Sequence, residues 1–232
     1  MKSTFYAPTK VEWHSGRGNT VGCTSALHDI PYEYSSMCAR VWVSLPRSLP
    51  PMNIFFLCFD PKECAKMHVD KHVVKMILEY CQLLSTAHRV LDKSDNDLLY
   101  KATHVNHPSA KWVRLSSDAY VWLTELLVFL CAEYTHRYGK IHKCQRIGLV
   151  DFLAKNVPKN IPTVPFAEPP CAMPDKYKIE GDAISSYRNY YNNDKAYIGK
   201  WKNRDVPTWF SPPSSAEAPQ SSGPTTPASP SP

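Results

Sequence analysis

MNIFFLCFDPKECAKMHVDKHVVKMILEYCQLLSTAHR, residues 52–89, is the stretch whose reading decides the fold. It opens on MNIFFLCF, a short apolar run that fits a buried strand. Asp60-Pro61-Lys62-Glu63 then has the order of a helix start. Asp serves as N-cap, Pro takes the first helical position where no N–H is needed, and Glu three residues on completes a capping box. The helix is expected to continue to about residue 89 or 90, and past its first two turns it is apolar nearly all round. Such a helix belongs at the centre of a domain.

Three more helical segments follow. Asn106-His107-Pro108 begins the second, which runs to a stop at Gly139 with an apolar face through Trp112, Leu115, Ala119, Trp122, Leu126 and Phe129. A kink is expected near Ser116-Ser117. The third covers roughly 142–156, and the fourth runs from about Asp182 to Trp201 after a proline-rich loop. The reading is a mainly α fold, a compact domain of about four helices with a short N-terminal strand, spanning residues 52–210. Upstream, residues 1–51 show no sustained period and end in SLPRSLPPM, an extended linker, so they read as an irregular extension with Met52 as a natural domain start. Residues 211–232 are Pro-, Ser-, Ala- and Thr-rich without a large apolar side chain, and are expected to be a disordered tail.

Composition narrows the classes. Hydrophobic residues make up 43% and aromatics 12%, enough for a core. No run approaches the roughly 18 apolar residues of a membrane span, and the first residues lack the apolar centre of a signal peptide. The expectation is a cytoplasmic protein, or a nuclear one in a eukaryotic host, with no membrane partner. The eight cysteines contain no C-x2-C pair, so neither a zinc site nor a disulfide framework is read from them. The net charge is +6, and residues 137–210 carry 13 Lys/Arg against 7 Asp/Glu, an imbalance that favours an anionic partner.

His68, His72, Lys75, Glu79, Gln82 and Thr86 recur at steps of four and three, within an arc of about 80° on one helix. On a buried helix such polar groups either face a cleft or form a paired network, because unpaired buried charge is expensive. The spacing leaves several chemistries open. His68 and His72 at i, i+4 could ligate a metal, joined by a residue from His104–His107. A desolvated Lys75 would be a nucleophile, with Glu79 as general acid or base. Lys75 and Glu79 could equally be an ordinary i,i+4 ion pair. A second polar cluster, His104, Asn106 and His107, precedes the second helix. Near the C-terminus, Arg188, Lys195, Lys200, Trp201, Lys202, Arg204, Trp209 and Phe210 interleave cations with rings, as nucleic-acid contact requires, although the rings at helical spacing could simply pack the last helix.

The run above, together with NHPSAKWVRLSSDAYVWL, LCAEYTHRYGKIH, AMPDKYK and KAYIGKWKNRDVPTWF, resembles a set of phage and bacterial proteins over residues 52–210. More distantly the layout is similar to the phage-type pyrimidine-dimer DNA glycosylase/abasic-site lyases. Those are small helical proteins with a histidine and a catalytic glutamate on the first helix and a Pro-Thr-Trp-aromatic segment that contacts DNA. His68 matches the histidine and Pro207-Thr208-Trp209-Phe210 the terminal segment. Counted from His68, the glutamate position falls on Lys75, and the nearest carboxylate is Glu79. That family attacks with its N-terminal α-amine, which this chain could offer only from a start at Met52. The resemblance implies a DNA-acting base-excision enzyme. Lys75 or a Met52 amine would be the nucleophile and Glu79 the acid/base group, while His68, His72 and His107 orient the substrate. DNA is the partner, and neither a cofactor nor a metal is assigned. A metal-dependent nuclease or hydrolase using His68 and His72, and a non-catalytic nucleic-acid-binding or host-interaction protein, are the alternatives.

Overall fold

The computed structural model describes residues 52–213; the expected extension 1–51 and the tail from residue 214 lie outside the described residues. Seven α-helices build the domain: α1 (Pro61–Met67), α2 (Asp70–Leu91), α3 (Pro108–Val113), α4 (Ser117–Tyr138), α5 (Lys143–Arg146), α6 (Leu149–Lys155) and α7 (Ala183–Asn193). Two 3-10 turns, Asp175–Tyr177 and Ala196–Ile198, flank α7. The mainly helical expectation holds. Among the described residues no helix is long and apolar enough to cross a membrane.

The expected N-terminal strand does not form. The run is buried as expected, with Ile54, Phe56 and Leu57 fully inaccessible, but no described strand lies beside it. Side chains take the place of a ladder. Phe55 N–H donates to Tyr80 Oη (3.1 Å), and Phe55 O accepts from Cys64 Sγ (3.3 Å). Met52 O accepts from Ser109 Oγ (2.6 Å), Leu57 O from Arg188 Nε (3.0 Å) and Phe59 O from Trp122 Nε1 (2.7 Å). Buried backbone groups need partners of some kind, and here five helices supply them.

The expected first helix is two helices. Asp60 caps α1 by accepting from Glu63 N–H (2.8 Å), while the Glu63 carboxylate turns to Lys66 (2.7 Å). His68 (ψ 134°) and Val69 (ψ 155°) are then extended and the helix restarts at Asp70. Tertiary partners hold the break open. Arg137 of α4 donates to Lys66 O (2.9 Å) and His68 O (2.8 Å), Trp201 Nε1 donates to Met67 O (2.9 Å), and Asp70 N–H donates to Lys200 O (2.8 Å). The expected kink near Ser116 is likewise a full break, with Ser116 capping α4 through Ala119 N–H (3.0 Å). The third segment divides at Gly148, which adopts φ 81°, a backbone that side-chain-bearing residues rarely take. The fourth ends at Asn193, so Trp201 lies beyond the helix.

Helix α4 packs most extensively on α1 and α2. Helix α2 is enclosed on every side only from Leu83 to His88; earlier, Val74, Lys75 and Leu78 are exposed. That open first half leaves Lys75 exposed to solvent and the Glu79 side chain at its edge.

Candidate functional site

The helix break divides the polar stripe. His68 ends α1, and its Nδ1–H donates to Cys64 O (2.8 Å), leaving Nε2 buried without a partner. His72 starts α2, stacks on Phe55 (4.2 Å, 17°), and places Nδ1 2.7 Å from Tyr191 Oη. Loss of water pulls His68 down to about 4 and His72 to about 2, so both rings are neutral. Phe55 meets His68 edge-on (6.1 Å), and the two imidazoles are core packing. Among the described residues no three His, Cys, Asp or Glu side chains converge as a metal-binding set.

Lys75 and Glu79 do come together, but not in the way desolvation of the lysine would require. Lys75 is solvent-facing, its side chain 54% exposed, and its Nζ lies 2.9 Å from Glu79 Oε1. The carboxylate is the desolvated partner. The Glu79 side chain is 12% exposed, Oε2 has no hydrogen-bond partner, and burial raises its pKa against the pull of Lys75. A carboxyl group with one oxygen on an amine and the other unengaged is an arrangement that structural pairing alone does not call for.

Two turns along α2, Thr86 pins the loop before α3. It accepts from Thr103 N–H (3.2 Å) and donates to Thr103 O (3.4 Å). His104 follows in the left-handed region (φ 50°), uncommon for a residue other than glycine. Its Nδ1 lies 2.7 Å from Thr103 Oγ1, and its Nε2 is buried without a partner. His107 is the N-cap of α3, its Nδ1 accepting from Ser109 N–H (3.2 Å), with its pKa lowered by burial and then by His104. Ser109 in turn holds the Met52 carbonyl. Lys75, Glu79, Thr86 and His104 thus form one polar flank, bordered by the start of α3. In the sequence His104 stood out only as a member of a polar cluster. Nothing local foretold its backbone conformation, which the Thr86–Thr103 tie imposes from 17 residues away.

The basic, aromatic end is mostly committed to the fold. Arg188 donates to Leu57 O and covers the Trp209 ring (5.4 Å). Lys195 pairs with Asp194 (2.9 Å) and lies over Tyr190 (4.9 Å). Arg204 grips Glu133 (2.7 Å), which also holds Arg137 (3.1 Å). Trp201 seals the α1–α2 break, Trp209 Nε1 donates to Met67 Sδ (3.4 Å), and Phe210 packs on Trp201 (4.7 Å). Gly199 leaves room for that ring, since a Cβ there would lie 2.6 Å from Phe210 Cζ. Lys200 and Lys202 are exposed, beside the start of α2 through backbone bonds to Asp70. Lys202 Nζ lies over the Tyr138 ring (5.5 Å), and Tyr197 nearby is 78% exposed. Comparisons with family models, curated proteins and solved structures return no match.

Proposed function

We propose that this chain is a DNA-acting base-excision enzyme of the DNA glycosylase/abasic-site lyase type, with its chemistry at the Lys75–Glu79 pair. The observation that carries the reading is Glu79, a desolvated carboxylate with an amine 2.9 Å from one oxygen and no partner on the other. Such a pair suits imine formation. When substrate excludes water, the ion pair loses its solvation, and transfer of the Lys75 proton to Glu79 yields a neutral amine and a carboxylic acid. The amine nitrogen bonds to C1′ of the sugar aldehyde as the C=O π pair moves onto oxygen, and a proton passes from that nitrogen to the oxygen to give the C1′ hydroxyl. Glu79 then returns its proton to the C1′ hydroxyl, which leaves as water and gives the iminium ion.

In the resemblance, His68 matches the family histidine, the glutamate position counted from it falls on Lys75, and Glu79 is the nearest carboxylate, one turn further along α2. Exposed Lys200 and Lys202, close to the start of α2, offer phosphate contacts on the way to the pair. A flipped nucleotide would enter beside the open first half of α2.

Borohydride trapping on DNA carrying an abasic site tests the reading, with the full chain, a chain started at Met52, and Lys75→Ala and Glu79→Gln in each. The full chain is expected to form a covalent adduct that Lys75→Ala abolishes and Glu79→Gln slows by roughly a hundredfold. An adduct that survives Lys75→Ala but requires the Met52 start moves the nucleophile to the α-amine and keeps the enzyme class. No adduct from any folded protein overturns the reading in favour of a non-catalytic binder.

A further inference from the structure

We infer that the turn after α7 and the first turn of α2 form a binding surface for single-stranded nucleic acid, on which Tyr197 stacks with an unpaired base while Lys71, Lys200 and Lys202 meet the phosphates. The surface shares a DNA partner with the reading above but none of its chemistry.

Tyr197 is 78% exposed, the most exposed large apolar side chain among the described residues. The rings near it in the chain, Tyr187, Tyr190, Tyr191 and Trp201, are all buried. A lone exposed ring needs no explanation by itself, but this one stands on an anchored turn. Ile198 N–H donates to Lys195 O (3.0 Å) and Gly199 N–H to Ala196 O (2.9 Å), which closes the 3-10 turn Ala196–Ile198. Ile198 is buried beside the ring, and Phe210 presses on Gly199 so closely that a Cβ there would lie 2.6 Å from its Cζ. A ring presented this way is ordered before it binds, so little entropy is lost when a base stacks on it.

Asp70 gathers the cations. Its N–H donates to Lys200 O (2.8 Å), its carboxylate accepts from Lys202 N–H (3.0 and 3.1 Å), and Lys71 is the next residue. All three lysines are exposed. The neighbouring acids are already matched, Asp70 by Arg137 (3.0 Å) and Glu133 by Arg204 (2.7 Å). Between residues 195 and 205 only Asp205 adds a further negative charge. Lys202 Nζ lies over the Tyr138 ring (5.5 Å), a contact that orders the side chain and leaves its charge in place. Tyr197 precedes Lys200 by three residues, so their Cα atoms are at most about 10–11 Å apart. Ring and ammonium groups therefore lie within reach of one strand.

The ring selects the partner. A base offers its face only where it is unstacked, so duplex DNA would use the lysines and leave Tyr197 idle. An acidic peptide would likewise need the cations and not the ring.

Fluorescence anisotropy of the full chain tests the surface, with a labelled oligothymidine and a duplex of the same length, both undamaged. The parent is expected to bind the single strand more tightly than the duplex. Tyr197→Ala should weaken single-strand binding about tenfold or more and leave duplex binding within about twofold, and Tyr197→Trp should restore it. Replacing Lys200 and Lys202 together by alanine should weaken both and lower the slope of log affinity against log salt by about 1.4 on the single strand. Equal binding of single strand and duplex, or no effect of Tyr197→Ala, overturns the inference, as does a parent that binds neither. Undamaged strands carry no aldehyde, so the result is independent of borohydride trapping. An adduct from a parent whose Tyr197→Ala variant binds normally sinks this surface alone. Selective single-strand binding without an adduct sinks the base-excision reading alone.

Discussion

The fold holds His68 and His72 neutral, and that choice has a pH signature. Burial takes His68 from 6.5 to about 4, and His72, stacked on Phe55, to about 2. In the unfolded chain both rings take up protons near the ordinary histidine value. Below it the unfolded state binds protons that the native state refuses, so the stability these rings contribute is complete above pH 6.5 and is lost as the pH falls towards 4. For His68 alone the shift corresponds to roughly 3 kcal/mol. Urea unfolding at about pH 7.5 and about pH 4.5 is expected to show a large drop that His68→Gln flattens. An equally steep drop in His68→Gln would mean that other groups carry the acid sensitivity. Glu79 has the opposite sign. Burial raises its pKa, so its charge works against the fold at neutral pH. The contrast between two histidines sealed as neutral rings and a half-paired carboxylate is the ground on which Glu79 is proposed as the working group.

Among the elements, the α1–α2 break has Arg137 as its most heavily engaged partner, beside Lys200 and Trp201. Arg137 has a fully buried side chain that reaches Glu133, Asp70, Lys66 O and His68 O. Truncation to alanine leaves two carbonyls and two carboxylates without that partner, and Arg137→Ala is expected to lower stability by about 3–5 kcal/mol. Arg137→Lys should not rescue it, because one ammonium cannot span the fork. A cost below about 1 kcal/mol in chemical denaturation would show that the break holds without the arginine. Two helix starts were legible in the sequence because their causes are local, Asp60 with Pro61 and His107 with Pro108, whereas Ser116 was read as a kink and is a cap that starts a new helix. The break at His68–Val69 was not legible, since no glycine or proline marks it and its partners come from residues 137, 200 and 201. MNIFFL is buried as read, Phe59 two residues later is exposed, and the strand read there does not form. Burial follows from composition, whereas a strand needs a neighbour that composition does not reveal.

Across the whole molecule, the candidate flank joins the first half of α2, the loop before α3 and the start of the domain. Its members on α2 were visible in the sequence as periodic polar residues, but their burial was not. Exposure of Lys75 and enclosure of Glu79 depend on what packs around α2. The C-terminal cations and rings were visible too, yet their pairing with Glu133, Leu57 and Met67 emerged only from the tertiary arrangement. The segment after α7 is consequently tied to the domain, with Ile198 and Trp201 buried against it. A chain ending at residue 193 lacks Lys200, Trp201 and Arg204, and is expected to lose its cooperative thermal transition. Retention of a sharp transition would show that the segment is an appendage.

The apolar run at residues 54–57 has a further consequence during synthesis. Its carbonyl at Leu57 waits for Arg188, 131 residues later in the chain. At typical translation rates that interval is on the order of ten seconds. For much of it the nascent polypeptide carries IFFL, uncharged and without a proline, before its closing helix has been made. The order of synthesis therefore leaves this run incompletely covered until α7 arrives.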